Sequence, residues 1–111
     1  MNKTIASGER VVSGMRPTGR LHLGHYHGVL RNWVALQQDN ECFFFVADWH
    51  ALTTAYEERE VISRHVWDMV VDWLACGVNP SLATLFIQSR VAEHAELHLL
   101  LSMIAQLGCL E

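Results

Sequence analysis

Three apolar runs alternating with three helical patterns predict an α/β fold of order β-α-β-α-β-α, the first half of a doubly wound parallel sheet. Two further observations point the same way. The run CFFFVA at 42–47 is apolar without alternation, as in a strand covered on both faces by helices. A glycine-bearing loop, SGMRPTGRLHLGHY at 13–26, stands between the first strand and the first helix, the usual place for a phosphate-binding turn.

The elements follow in order. Residues 1–9 form a polar lead-in, and 10–13 make a short strand that delivers the glycine loop. The first helix, 24–38, carries Val29, Leu30, Trp33 and Val34 at helical spacing, and Gln37, Gln38, Asp39 and Asn40 close it as turn formers. After 42–47, polarity returns abruptly at Asp48, Trp49 and His50. Thr53 and Thr54, with Glu57 and Glu58, offer caps and first-turn carboxylates for a second helix. Its stripe of Val61, Ile62, His65, Val66, Met69, Val70, Trp73 and Leu74 is the clearest period in the chain. Gly77 ends it and Asn79-Pro80 makes the turn into a third buried strand, 83–87. A third helix follows at 93–107, with Gly108 as its cap. Leu97, Leu99, Leu100, Leu101, Met103, Ile104 and Leu107 wrap around that helix, so it must be covered on more than one side, by further domain or by a second subunit.

Composition narrows the function classes. At 111 residues the chain is at most one domain, and half of it is hydrophobic, enough for a core and too apolar for disorder. The net charge is −4, the eight cationic residues are scattered and Lys3 is the only lysine, which argues against a basic face gripping nucleic acid. Cys42, Cys76 and Cys109 lie far apart with no metal-type spacing, and read as reduced thiols of a cytoplasmic protein. The N-terminus lacks the apolar run of a secretion signal, and no segment reaches the roughly 18 consecutive apolar residues of a membrane span.

Two readings of the glycine loop compete. GMRPTGRL at 14–21 nearly fits a P-loop, but Arg20 stands where the lysine belongs and Leu21 where a hydroxyl would hold Mg²⁺. Leucine cannot ligate a metal, so that reading fails. The other centres on His22-Leu23-Gly24-His25 at the helix start, where Gly24 allows close backbone approach to a phosphate and the histidines are donors beside it, favoured as imidazolium by a polyphosphate. Surface histidines or zinc ligands are the blander alternatives, the second lacking nearby partners. Asp48 and His50 lie just past the carboxyl end of the second strand, where open α/β sheets bind ligands, although Asp48 equally suits capping the next turn. His65 reads as a core histidine, His94 and His98 as an exposed helix face, Phe43, Phe44 and Phe45 as core, and Trp67 as the mark of a second contact face.

These residues resemble the class I aminoacyl-tRNA synthetases, whose first signature is His-x-Gly-His at the opening of the first helix of a Rossmann domain. The blocks SGMRPTG and HLGHY, then ADWHALT at 47–53, then TLFIQS at 84–89 followed by Val91 and His94, are similar to the tryptophanyl-tRNA synthetase family from about Val11 onward, with the tyrosine enzymes as near relatives. The resemblance implies that catalytic His22 and His25 complete the signature, and that Arg16, Pro17, Thr18, Gly24 and His25 line an ATP site. It implies an amino-acid pocket bordered by Val12, Gly14, Ala47, Asp48 and His50. It also implies ATP with Mg²⁺, no protein metal site, L-tryptophan and tRNA(Trp) as partners, and a homodimer. The family's lysine-rich second signature, the aspartate that reads the indole N–H and the anticodon-binding domain are missing. Residues 1–111 therefore read as the N-terminal portion of a synthetase catalytic domain, severely impaired as a ligase on its own. The rival readings are a tyrosyl-tRNA synthetase, another His-x-Gly-His nucleotidyltransferase, or a non-catalytic interaction module derived from a synthetase.

Overall fold

The computed structural model describes residues 9–55, 57 and 59–110. Three parallel strands, β1 (Arg10–Met15), β2 (Glu41–Val46) and β3 (Ala83–Ile87), form one sheet in the order β1-β2-β3. Gly14 pairs with Phe45 and Phe45 with Phe86 across it. Helix α1 covers 23–39, α2 is Asp48–Ala55, α3 is Arg59–Ala75 and α4 is Ala92–Ile104. Gln88–Arg90 and Leu107–Cys109 are single 3₁₀ turns.

When strand order follows chain order, right-handed crossovers carry both connecting helices to the same face of the sheet. The core sits there. Leu30 and Trp33 of α1 and Met69 and Trp73 of α3 pack with Met15, Cys42, Phe44, Val46 and Ala83. Trp33 lies flat on Phe44 (centroids 4.3 Å, 3° between planes) and meets Trp73 edge-on (4.9 Å, 80°). Its indole N–H donates to Ser13 Oγ at 3.1 Å, so α1 is tied to β1 by a hydrogen bond as well as by area.

The opposite face is a different environment. Burial alternates along β2, with Cys42, Phe44 and Val46 buried and Phe43 and Phe45 only half-buried. The unbroken apolar run had predicted cover on both faces, and the structure corrects this. On that second face Val12 is 62% exposed, and the helix that reaches it, α4, touches Phe45 through the His94 ring (5.2 Å, edge-on). No residue of α4 is buried, and its leucines, Met103 and Ile104 are exposed.

Other departures have local causes. Residues 48–55 are helical, not a turn, because the polar Asp48 begins a helix directly after Ala47. Thr53 lies inside α2, its hydroxyl donating to His50 O at 2.8 Å within that helix. The expected contribution of Glu58 and of the Thr54 side chain lies outside the described residues. Helix α1 contains a π-helical turn, Tyr26–Leu30, in which Arg31 N–H reaches back to Tyr26 O. The stripe of α3 is narrower than its sequence period, with Val61 and Leu74 exposed, His65 half-buried and Trp67 projecting into solvent at 75% exposure. Gly77 does end α3, Val78 N–H bonding to Trp73 O at 3.0 Å. Helix α4 stops at Ile104, three residues early, because Ala105 turns extended.

Gln37 reads as a turn former, yet it is buried. Its Nε2 donates to Gly77 O (2.8 Å) and its Oε1 accepts from Asn79 N–H (2.9 Å), so one side chain clamps the end of α1 to the turn after α3. Cys42 is buried in the core, and burial pushes its thiol above the ordinary value.

Candidate active site

The signature at the start of α1 is held by its own side chains. His22 Nδ1 accepts the Gly24 N–H at 3.0 Å, and His25 Nδ1 accepts the His22 N–H at 3.2 Å, a reciprocal capping box built from two imidazoles. Their rings lie 4.0 Å apart. A Cβ on Gly24 would fall 2.7 Å from His22 Cε1, so a side chain at 24 would displace the ring that caps the helix. The spacing His-x-Gly-His is thus a packing requirement as well as a motif. Because each Nδ1 is turned to the backbone, Nε2 is the ring nitrogen that each histidine leaves free to face a ligand.

Two loops meet at the carboxyl edge of the sheet. The β1 loop brings Gly14 and Arg16, and the β2 end brings Ala47 and His50, around a cavity of about 410 Å³. Phe45 and Gln88 complete its wall. A Cβ on Gly14 would lie 2.5 Å from Phe45 Cζ, so glycine is what lets the phenyl ring lie against β1. Pro17 is fully buried and shapes the loop, while Thr18 is exposed after a tight turn in which its N–H bonds to Arg16 O at 2.9 Å. Asp48 is half-buried at the start of α2, its Oδ1 accepting the Ser89 N–H at 3.0 Å.

Not every expected residue gathers at this cavity. Val12 is exposed on the open face of β1. His22 lines a separate cavity with Leu21, Tyr26, Asp72 and Cys76 between α1 and α3. His94 and His98, expected on an exposed face, line a third hollow of about 550 Å³ with Trp49, His50 and Gln88. Among the described residues no three His, Cys, Asp or Glu side chains gather as a metal site. Two wall residues escaped the sequence reading of the pocket. Phe45 was submerged in an apolar run, and Gln88 lay in the third block with no role attached.

A model of the class I tRNA synthetases (W and Y) matches residues 6–111. The chain belongs to that family. Among curated members it is similar to the tryptophan–tRNA ligases of Ralstonia nicotianae (74% identical over 93% of this chain) and Aquifex aeolicus (60% over 92%). Among solved structures it is similar to the tryptophanyl-tRNA synthetase of Campylobacter jejuni complexed with ADP and tryptophan. That likeness has a TM-score of 0.82 at 31% identity, over 90% of this chain and 31% of that one. The chain spans 26% of the length of the Ralstonia and Aquifex synthetases. Parallel strands with helices in Rossmann-like order are the family's architecture, as the α/β reading of the sequence has it. Among the described residues no helix is long and apolar enough to cross a membrane.

Proposed function

We propose that residues 1–111 form the ATP-binding, N-terminal portion of the catalytic domain of a cytoplasmic tryptophan–tRNA ligase. The observation that carries this reading is the cavity walled by Gly14, Arg16, Ala47 and His50 at the carboxyl edge of the sheet, on a chain that also holds the imidazole-capped start of α1. High identity to tryptophan–tRNA ligases favours tryptophan over tyrosine as the amino acid.

On this reading the carboxylate oxygen of tryptophan attacks the α-phosphorus of ATP in line. The bond from that phosphorus to the bridging oxygen breaks, and pyrophosphate leaves with its electron pair. The aminoacyl group then passes to a ribose hydroxyl at the 3′ end of tRNA(Trp), with AMP as leaving group. Arg16 supplies a fixed positive charge for phosphoryl oxygens, and the Nε2–H groups of His22 and His25 supply donors whose orientation is set through Nδ1. Thr18 and Gly24 border the nucleotide, and Pro17 fixes their loop. Val12, Gly14, Ala47, Asp48 and His50 border tryptophan. Mg²⁺ enters with ATP, held by phosphate oxygens. The apolar surface of α4 meets a second copy of the chain, giving a homodimer.

The test is ATP–pyrophosphate exchange by the full-length protein with tryptophan and with tyrosine, for the wild type and for His25→Ala and Arg16→Ala. Tryptophan-dependent exchange that falls about 10²-fold in either variant is expected. Tyrosine-dependent exchange, or none with either amino acid, overturns the assignment.

A further inference from the structure

Two hydrogen bonds tie the first turn of α2 to the turn after β3, and they run in opposite senses. Asp48 Oδ1 accepts the backbone N–H of Ser89 at 3.0 Å, and the backbone N–H of His50 donates to Gln88 Oε1 at 3.2 Å. The last ladder pair of β2 and β3 is Val46 with Ile87, so residues 47–50 and 88–89 leave the sheet side by side. Beyond that pair the ladder ends, and these two side-chain-to-backbone bonds continue the tie.

The sequence leaves α2 with a capping problem. Ala51 N–H bonds to Ala47 O at 3.1 Å, which makes Ala47 the residue at the helix boundary, and alanine has no side-chain acceptor for the first-turn donors. Gln88, 38 residues away in the chain, takes the His50 N–H instead. Gln88 and His50 are also the two residues that line both the 410 Å³ cavity and the 550 Å³ hollow beside α4. Together they form the wall between these spaces.

We infer that Gln88 is a positioning residue for the amino-acid pocket: its carbonyl oxygen caps α2 from outside the helix and thereby holds His50 on the pocket wall. The inference rests on the reading of His50 as part of the tryptophan pocket. It assigns Gln88 no contact with the reacting atoms. Removing the acceptor frees the first turn of α2 to shift, which loosens the pocket and leaves the phosphate-facing residues of α1 in place.

Tryptophan-dependent ATP–pyrophosphate exchange of the full-length protein tests it, comparing wild type, Gln88→Leu and Gln88→Glu, with hydrogen exchange of segment 48–55 as a second readout. Gln88→Leu is expected to raise KM for tryptophan about five- to tenfold while leaving KM for ATP and kcat within about twofold, with faster exchange at 48–55. Gln88→Glu keeps an oxygen acceptor and is expected to restore both readouts. A wild-type KM for tryptophan in Gln88→Leu overturns the inference, as does a Gln88→Glu protein as impaired as Gln88→Leu. If Gln88→Leu does not fold, Gln88→Glu decides alone: wild-type KM and protection support the role, and a raised KM overturns it. A wild type that shows no tryptophan-dependent exchange defeats the functional reading instead. Hydrogen exchange then decides the capping role, unchanged protection in Gln88→Leu counting against it.

Discussion

Gly14 and Phe45 stand opposite each other in the β1–β2 register, and the phenyl ring lies across the glycine so closely that a Cβ there would come within 2.5–2.8 Å of three ring carbons. Phe45 is also stacked on Phe86 at 5.3 Å and edged by His94 at 5.2 Å, so moving the ring aside would break both contacts. Gly14→Ala is therefore expected to destabilise the fold by about 1–3 kcal/mol through overpacking. Urea unfolding checks this, and an unchanged midpoint would show that Phe45 swings aside freely.

Trp33 and Trp73 are both buried and in contact, yet they differ in one hydrogen bond. The Trp33 N–H reaches Ser13 Oγ, whereas Trp73 Nε1 has no hydrogen-bond partner among the described residues. Substitution by Phe removes similar volume at each site. Trp33→Phe also breaks a bond, while Trp73→Phe removes a donor that is already unsatisfied. The first should cost more by about 1 kcal/mol. Equal losses in thermal unfolding would contradict the difference.

Cys42 couples stability to alkaline pH. Burial raises its thiol above the ordinary value of 9.0, so the folded state holds the proton more tightly than the unfolded chain does. The contribution is fully present below 9.0 and is lost as pH rises through the folded value. Unfolding free energy measured from neutral to strongly alkaline pH should fall less steeply in Cys42→Ala than in wild type. In native protein Cys109, which is exposed, should react with a thiol reagent well before Cys42.

The α4 surface predicts association. Leu100 and Ile104 lie one turn apart on a helix without a buried residue, and Ile104 is 77% exposed. Light scattering should find the native chain larger than a monomer and Leu100→Glu, Ile104→Glu reduced toward one. A strictly monomeric native chain at high concentration would remove the proposed dimer face.

The amino-acid sequence by itself determined the three strands and the three long helices that follow them, the glycine loop between β1 and α1, the stop at Gly77 and the three blocks that place the chain in its family, but not the separate short helix 48–55. Those signals are local: a period, a breaker or a motif lies within some fifteen residues of chain. Where two helices start and stop was less legible, since Asp48 and Ala105 act through single backbone turns that carry no period. Only the tertiary structure decided which face of the sheet is the core, because an unbroken CFFFVA run carries no alternation to say that Phe44 points toward Trp33 and Phe45 toward His94. It also decided the partners of Gln37 and Gln88, which take up backbone groups 40 and 38 residues away. Parallel pairing brings such positions together across long crossovers, and no pattern along the chain encodes which amide will meet which helix end. The orientation of His22 and His25 belongs to the same class: the motif names the residues, and the folded helix start decides that Nδ1 turns inward to the backbone.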